Sequence, residues 1–498
     1  MGAQGKAVGE KILTEQLLSK KWRNRLLVAG LGLFLPLFVL ALISRYVHTD
    51  EAWIGQQVYS LISRGVIISD LFRDLPPLDE KIVVYHKLLV WAGALSSHVA
   101  GWGLYQLRTV SAVAGAFTLA MLLFSLRSYL SLRTRLAAAL ILAYTPIFWE
   151  HMSMFRPEAI VCCCGLASFL CVRRCLHDHQ LGWALAAGVF AGLSALAHAI
   201  GLAFAIAGVV VLIVERRYRS AILLTLTAAV VFLPYISGYF TDRSLFVNQL
   251  FHNRVMTPQV AFNWWQPLVN LAEEHKRIFR QPGVIGISVA FFLSLFVMTR
   301  REMRSSRSLL IYIATLLLLF GMSPLPKITR YTMPLTPFFA IVIAQVWRQI
   351  NHKEVAGYRK TIARIFQVWL IVFFVYGVGA LGWAALFDRS QEKQTNATLA
   401  AQMEPGSLVI APFDFVYEQQ PHFTIQSWWG ARQSCMPGCS ASSLEKYAKG
   451  LDVRYIILDP EMVGIWGIDS NLINQQYQQY ELRQSMPEEN RWLLEIRK

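Results

Sequence analysis

The chain has 498 residues, of which 55% are hydrophobic and only 16% are charged, and its mean hydropathy is +0.41. Soluble domains carry about 25% charged residues, so this composition excludes an ordinary soluble protein. The formal net charge of +16 would suit a nucleic-acid partner. The distribution of the basic residues explains that charge without one, and we predict no nucleic-acid partner.

Eleven apolar segments follow one another along the chain, and several approach the roughly 20 residues that a bilayer crossing requires. The first is longer than the apolar part of a cleavable signal peptide and lacks a small-residue cleavage site after it, so we expect a retained helix. The pattern predicts an all-α polytopic membrane bundle of about 11 transmembrane helices. The segments are residues 26–44, 109–126, 136–149, 159–172, 181–197, 199–214, 220–238, 282–298, 308–322, 332–347 and 365–387.

The basic residues predict the orientation of this bundle. If residues 1–25 form a cytoplasmic N-terminus, the six cytoplasmic pieces hold 23 Lys and Arg residues against six acidic ones. The rest of the chain holds 24 basic and 25 acidic residues. The excess therefore lies where the positive-inside rule places it. We predict a multi-pass protein of the cell inner (plasma) membrane, in contact with membrane lipids.

Residues 26–388 then form the transmembrane domain, with long external loops at residues 45–108 and 239–281. Residues 82–100, in the first loop, are apolar but contain two His residues and one Lys. This mixture favours a helix lying on the membrane surface. A further crossing is the alternative, but it would place the later basic loops outside.

Residues 389–498 predict a small mixed α/β domain on the periplasmic or extracellular side. Residues 407–412 and 453–460 are short apolar runs that end at Pro and predict buried strands. Cys435 and Cys439 lie in this external domain, so a disulfide is more consistent with their position than half of a zinc site. The other five cysteines fall in or beside one apolar segment, as small core residues do.

Charged side chains gather on the predicted external side. Asp50 and Glu51 follow the first apolar segment, although Asp50 could simply cap a helix that begins at Ala52. Arg156 and Glu158 stand at the start of another apolar segment on the same side. Ionisable groups at such depth are costly and tend to be functional, so we expect carboxylates from separate segments to meet.

A third group of charges lies in PLPKITRYTMPLTP, residues 324–337. Lys327 and Arg330 are on the external side, where orientation requires no positive charge. They predict a phosphate clamp, because Lys and Arg form charge-assisted bonds with phosphate oxygens. Anchoring to lipid headgroups is the alternative.

These motifs, in this order and on this side, resemble the GT-C glycosyltransferases, specifically bacterial relatives of protein O-mannosyltransferases and aminoarabinose-type lipid A transferases. In that family the first external loop opens with an Asp-Glu pair, matched by Asp50-Glu51 in TDEAWIG. An Arg-x-Asp/Glu motif is matched by Arg156 and Glu158, and KITRYTMPLTP resembles the family's basic stretch before a late helix. A departure is DEKIVVYHKLLV, where the family often has His-Pro-Pro-Leu.

The resemblance implies transfer of a sugar from a polyprenyl-phosphate donor to a lipid, glycan or protein acceptor, with inversion at the anomeric carbon. Asp50 would be the base, and no cofactor is predicted, with a divalent metal as the alternative. A transporter or flippase, or a polymerase or ligase, of lipid-linked saccharides is the rival reading. The implied catalytic residues are Asp50, Glu51 and Glu158, and the implied substrate-binding residues are Arg156, Lys327, Arg330, Tyr331, Lys81, Tyr85 and His86.

Overall fold

The computed structural model describes residues 3–497 apart from a few short gaps, and the chain in these ranges is mainly helical. The gaps are residues 74, 76, 79, 128, 252–263, 324–327, 351–356, 388–391, 437, 470–472, 487 and 489.

Eighteen α-helices form the first part of the described chain. They are α1 (Ala3–Ser44), α2 (Thr49–Arg64), α3 (Lys87–Ala100), α4 (Leu104–Phe124), α5 (Leu132–Ala143), α6 (Pro146–Met152), α7 (Pro157–Asp178), α8 (Leu181–Ala197), α9 (Leu202–Val214), α10 (Tyr218–Thr241), α11 (Arg243–Phe251), α12 (Gln266–Ala272), α13 (Glu274–Ile278), α14 (Pro282–Val297), α15 (Arg300–Ser305), α16 (Arg307–Met322), α17 (Thr336–Ile350) and α18 (Tyr358–Leu386). Short 3-10 helices span Asp70–Phe72, Ala199–Gly201 and Thr329–Leu335.

Five of the described helical stretches are long and apolar enough to cross a membrane, namely Asn24–Ser44, Leu104–Phe124, Pro157–Asp178, Tyr218–Thr241 and Tyr358–Leu386. Four more apolar stretches have 10–17 residues, so the predicted number of eleven crossings is not confirmed. Helix α3 has 14 residues, fewer than the roughly 20 that a crossing requires.

Large apolar side chains lie on the outside of this helical bundle. Ile222 and Val230 of α10, and Ile371 and Val375 of α18, are more than 60% exposed. Exposure of such apolar surfaces to water is unfavourable, whereas lipid tails solvate them. Helix α7 is mostly buried inside the bundle, and the chain is a membrane protein with a helical core.

The C-terminal part adds a five-stranded sheet. The strands are β1 (Leu408–Ile410), β2 (Thr424–Gln426), β3 (Tyr455–Leu458), β4 (Tyr480–Met486) and β5 (Arg491–Ile496), in the order β2-β1-β3-β5-β4. Strand β1 is parallel to β2 and β3, whereas β5 pairs antiparallel with β3 and β4. The helices of this part are α19 (Glu392–Ala400), α20 (Phe415–Gln419), α21 (Trp429–Cys435), α22 (Ala441–Gly450), α23 (Pro460–Trp466) and α24 (Ile473–Gln476).

This C-terminal part packs directly on α2. The Tyr417 hydroxyl donates to the main-chain carbonyl of Glu51, and Gln56 Nε2 donates to Gln420 Oε1 at 2.7 Å. Gly55 allows this approach, because a Cβ at that position would lie 2.5 Å from the Tyr417 hydroxyl oxygen. The sheet domain therefore supports the helix that carries Asp50.

Cys435 and Cys439 are joined by a disulfide at the end of α21. The bridge lies in the sheet domain, between α21 and α22. It closes a short loop, so we expect it to restrain only the local chain.

Candidate active site

Helix α2 presents Asp50 in its first turn. The helix begins at Thr49, and its N-cap is His48, whose Nδ1 accepts a hydrogen bond from the Asp50 backbone N–H at 3.1 Å. The alternative that Asp50 only caps a helix starting at Ala52 is therefore wrong. Its side chain is available for contacts with other segments.

Four charged side chains from three distant segments meet around this carboxylate. Asp50 Oδ2 accepts from Arg156 Nη1 at 2.6 Å and from Arg330 Nη1 at 2.9 Å. Arg156 also forms two hydrogen bonds with Glu158, at 2.9 and 3.1 Å. Arg330 Nε lies 3.7 Å from Glu158 Oε1. Two carboxylates and two guanidinium groups thus form one cluster, with no net charge among these four residues.

The cluster has a buried half and an accessible half. Arg156 and Glu158, at the start of α7, are almost fully buried, whereas the side chains of Asp50 and Arg330 are 26% and 25% exposed. Asp50 and Arg330 both remain partly exposed to water, so a ligand can reach them. Arg330 is the cation best placed to exchange its carboxylate partner for a ligand anion.

The electrostatics of the cluster keep Asp50 ionised. Burial alone would raise the pKa of the Asp50 carboxyl, but the guanidinium groups of Arg156 and Arg330 outweigh burial and hold the pKa well below its usual range. A carboxylate with two cationic partners is a weak proton acceptor. It becomes more basic if a ligand anion draws Arg330 away.

A cavity of about 190 Å³ opens beside the charged cluster. One part of its wall is charged, and the other part is aromatic and uncharged. The lining residues include Asp50, Trp53, Tyr85, His86, Arg156, Glu158, His198, Tyr235, Arg330 and Tyr331. The structure therefore brings together seven of the residues that the resemblance implied.

Glu51 does not line this cavity. Its side chain is fully buried and forms two hydrogen bonds with Arg108, at 2.8 and 2.9 Å. It also accepts from the backbone N–H of Phe155 at 2.8 Å. Glu51 thus joins the start of α2 to α4 and to the segment before α7, a contact pattern that suits a positioning residue.

The remaining predicted residues differ in their placement. Tyr331 is buried in the cavity wall, and Tyr85 lines the cavity while its hydroxyl donates to the Gln249 carbonyl at 2.5 Å. Lys81 is exposed and does not line the cavity; its carbonyl accepts from Gln249. Lys327 lies outside the described residues.

Sequence reasoning missed His198 and Lys87. His198 interrupts two apolar segments at their predicted external end, the same signal that drew attention to Arg156. The Lys87 ammonium donates to the Pro234 carbonyl at 2.5 Å and to the Ser237 hydroxyl at 3.2 Å. These contacts attach α3 to α10, which indicates a structural role for Lys87.

Within the described residues, no group of three or more His, Cys, Asp or Glu side chains is arranged to hold a metal ion. The carboxylates of the cluster are occupied by guanidinium groups. The expectation that no cofactor is required stays a prediction.

Comparison with known proteins adds a partial sequence match. The family profile of dolichyl-phosphate-mannose-protein mannosyltransferases matches residues 88–239, a range that includes Arg156 and Glu158. No curated protein matches the chain.

Solved structures share the fold at low sequence identity. ArnT from Cupriavidus metallidurans in the apo state has a TM-score of 0.63 and 14% identity, with 96% of this chain and 98% of that chain covered. The same protein bound to undecaprenyl phosphate gives 0.62 and 14%, with 94% and 97% covered. The archaeal oligosaccharyltransferase AglB from Archaeoglobus fulgidus, in complex with an inhibitory peptide and a dolichol-phosphate, gives 0.52 and 12%, with 93% and 73% covered.

The fold likeness extends over nearly the whole chain, and the sequence match covers part of the helical bundle. Together they confirm that this protein resembles the GT-C glycosyltransferases, with ArnT and the protein mannosyltransferases among the similar proteins.

Proposed function

We propose that this protein is a membrane glycosyltransferase that moves a sugar from a polyprenyl-phosphate donor to an acceptor on the extracytoplasmic side. The observation that carries the proposal is the convergence of Asp50, Arg156, Glu158 and Arg330 at one cavity in an apolar helical bundle. Undecaprenyl phosphate bound to the structurally similar ArnT supports the same class of donor.

The donor phosphate would bind at Arg330. This guanidinium is partly exposed at the cavity wall, and its Nε faces the buried Glu158 carboxylate at 3.7 Å. A phosphate oxygen can accept from the exposed part of the guanidinium, in the planar geometry that this group prefers. The polyprenyl chain requires only apolar helix surfaces, which the bundle supplies.

The chemistry would then be a displacement at the anomeric carbon. The acceptor oxygen attacks that carbon, the bond from carbon to the phosphate oxygen breaks, and polyprenyl phosphate departs with the electron pair. Asp50 accepts the proton of a hydroxyl acceptor, and Arg330 stabilises the charge on the departing phosphate. Attack from the face opposite the phosphate inverts the anomeric configuration. An acceptor that attacks through a phosphate oxygen would need no base, and Asp50 would then only position groups.

Arg330→Gln tests the phosphate contact. Loss of a charged hydrogen bond is expected to lower transfer by about 10- to 100-fold. The measurement is transfer of radiolabel from polyprenyl-phosphate sugars to lipid, polysaccharide and protein fractions, which also identifies the acceptor. Arg64→Gln is the matched control, because Arg64 forms an ion pair with Asp70 and is not part of the cavity wall. Equal transfer by the two variants would contradict the assignment of Arg330.

The sidedness of the site gives a second test. A reporter that works only outside the cytoplasm should be active when it is fused after residue 498. A reporter that works only in the cytoplasm should be active when it is fused before residue 1, because the basic loops orient the bundle. A C-terminal reporter that is active in the cytoplasm would overturn the extracytoplasmic placement.

The rival function is transport of a lipid-linked saccharide. A transporter places its ionisable groups near the bilayer midplane, between broken helices. Here Asp50 and Glu158 stand in the first turns of their helices, and Arg156 is the N-cap of α7. Their position at helix ends favours a reaction at the membrane surface over transport of a saccharide through the bundle.

A further inference from the structure

Two histidines lie side by side in the uncharged part of the cavity wall. The rings of His86 and His198 are stacked, with centroids 5.2 Å apart and an interplanar angle of 30°. His86 lies at the N-cap of α3, and His198 joins α8 to the 3-10 helix that follows it. Trp53 and Tyr331 flank the two rings at 6.3 and 5.6 Å.

The contacts of His86 determine which of its nitrogens carries a proton. Nδ1 lies 3.2 Å from the main-chain carbonyl of Ala197, which can only accept, so Nδ1 is the donor. In a neutral ring, Nε2 then has a free lone pair. The residue has a positive φ of 49°, a conformation that is costly outside Gly, Asn and Asp and that marks functional sites when it persists.

The contacts of His198 require the opposite tautomer. Its Nδ1 accepts from the backbone N–H of Ile200 at 3.2 Å and caps the 3-10 helix. Nδ1 therefore has the lone pair, and Nε2 carries the proton. Neither Nε2 atom has a hydrogen-bond partner within the described ranges, although both rings line the cavity.

Burial keeps both rings uncharged near neutral pH. Burial is the largest cause of a pKa of about 4 for His86 and of about 3 for His198, and the His86 ring and the guanidinium groups of Arg330 and Arg156 contribute to the value for His198. The cavity therefore offers one unpaired acceptor and one unpaired donor beside the charged cluster.

We propose that His86 and His198 form a donor–acceptor pair that binds hydroxyl groups of the transferred sugar and selects an uncharged sugar. This inference rests on the proposed glycosyltransferase function. A hydroxyl both donates and accepts, so hydroxyls can satisfy His86 Nε2 and His198 Nε2–H together. An ammonium group can only donate, so it can satisfy His86 Nε2 but leaves the His198 donor unpaired.

Asn at either position makes a selective test. In His86→Asn the amide N–H₂ still reaches the Ala197 carbonyl, and Asn tolerates a positive φ. In His198→Asn the amide oxygen can still cap the 3-10 helix. Each variant retains the local structural contact and removes the atom that faces the cavity.

The measurement compares kcat/KM for undecaprenyl-phosphate donors that carry glucose, mannose, galactose or arabinose with kcat/KM for the amino-deoxy counterpart of the preferred sugar. The wild type should prefer the neutral sugar. Each Asn variant should lose roughly three- to tenfold on that donor, the value of one hydrogen bond, and should lose much of the discrimination. Affinity for undecaprenyl phosphate without sugar should be unchanged, because the charged cluster is intact.

The outcomes separate the two hypotheses. A wild-type preference for the amino sugar, or variants with unchanged ratios between donors, would overturn the role of the histidine pair while transfer itself persists. No transfer from any of these donors by the wild type, together with no binding of undecaprenyl phosphate, would overturn the proposed function and this inference with it.

Discussion

Asp50→Asn should slow sugar transfer by roughly 10²–10⁴-fold, the range for loss of a positioned proton acceptor. The amide has the same size and can still accept from Arg156, so the fold should be retained. The His48 side chain, rather than Asp50, accepts at the start of α2, so the substitution leaves that capping contact in place. Turnover and donor binding should be measured on the same purified sample.

Asp70→Asn provides the matched control for this variant. Asp70 also forms an ion pair with an arginine, Arg64, at 3.0 Å, but neither residue lines the cavity. The control should retain nearly wild-type transfer. An Asp50→Asn protein that is folded, binds donor lipid and turns over at the wild-type rate would sink the assignment of Asp50 as the base.

Glu51→Gln should lower stability rather than act on the chemistry. The substitution leaves Arg108, which is fully buried, without a counter-charge. Removal of one partner of a buried ion pair costs about 3–5 kcal/mol. We expect a lower melting temperature and a lower yield of folded protein in detergent.

The double variant Glu51→Gln/Arg108→Met should recover part of this loss, because it removes the uncompensated charge as well. The sequence predicted a catalytic role for Glu51. In that role, loss of the carboxylate would lower turnover and leave the melting temperature unchanged. A Glu51→Gln protein with wild-type melting temperature and greatly reduced turnover would support catalysis and contradict the positioning role.

Much of the fold follows from local sequence patterns. Most of the apolar segments lie within helices, although residues 136–149 are divided between α5 and α6, and β1 and β3 lie within the predicted strand segments 407–412 and 453–460. Strand β2 was missed because only one of its three residues, Ile425, is apolar. Strand β4 was missed because its side chains alternate between buried or intermediate and exposed positions at the sheet edge, with charged and polar residues facing outward.

The charged half of the site could be predicted because orientation assigns each helix end to a side. Asp50, Arg156 and Arg330 were placed on one face by that reasoning, and the structure joins them by hydrogen bonds. The partner of Glu51 could not be predicted. Arg108 is 57 positions away in the chain, and nothing in the sequence near either residue indicates that pair.

The tautomers of the two histidines depend on main-chain groups that no local pattern specifies. The Ala197 carbonyl and the Ile200 N–H are placed by the turn between α8 and the next helix. A sequence shows that His198 interrupts an apolar stretch. It does not show which ring nitrogen of His198 accepts a hydrogen bond from the main chain and which one carries the proton.

The attachment of the sheet domain has a consequence for how such proteins diverge. Tyr417 and Ser427 both donate to main-chain carbonyls, those of Glu51 and Leu71. Every residue type supplies that carbonyl, so the side chains of the receiving segments can change without loss of these two bonds. Gly55 and Gln56 are different, because Tyr417 approaches Gly55 closely and the Gln56 side chain donates to Gln420. Among the contacts named here, only positions 55 and 56 of the bundle therefore constrain which C-terminal domains can pack on it.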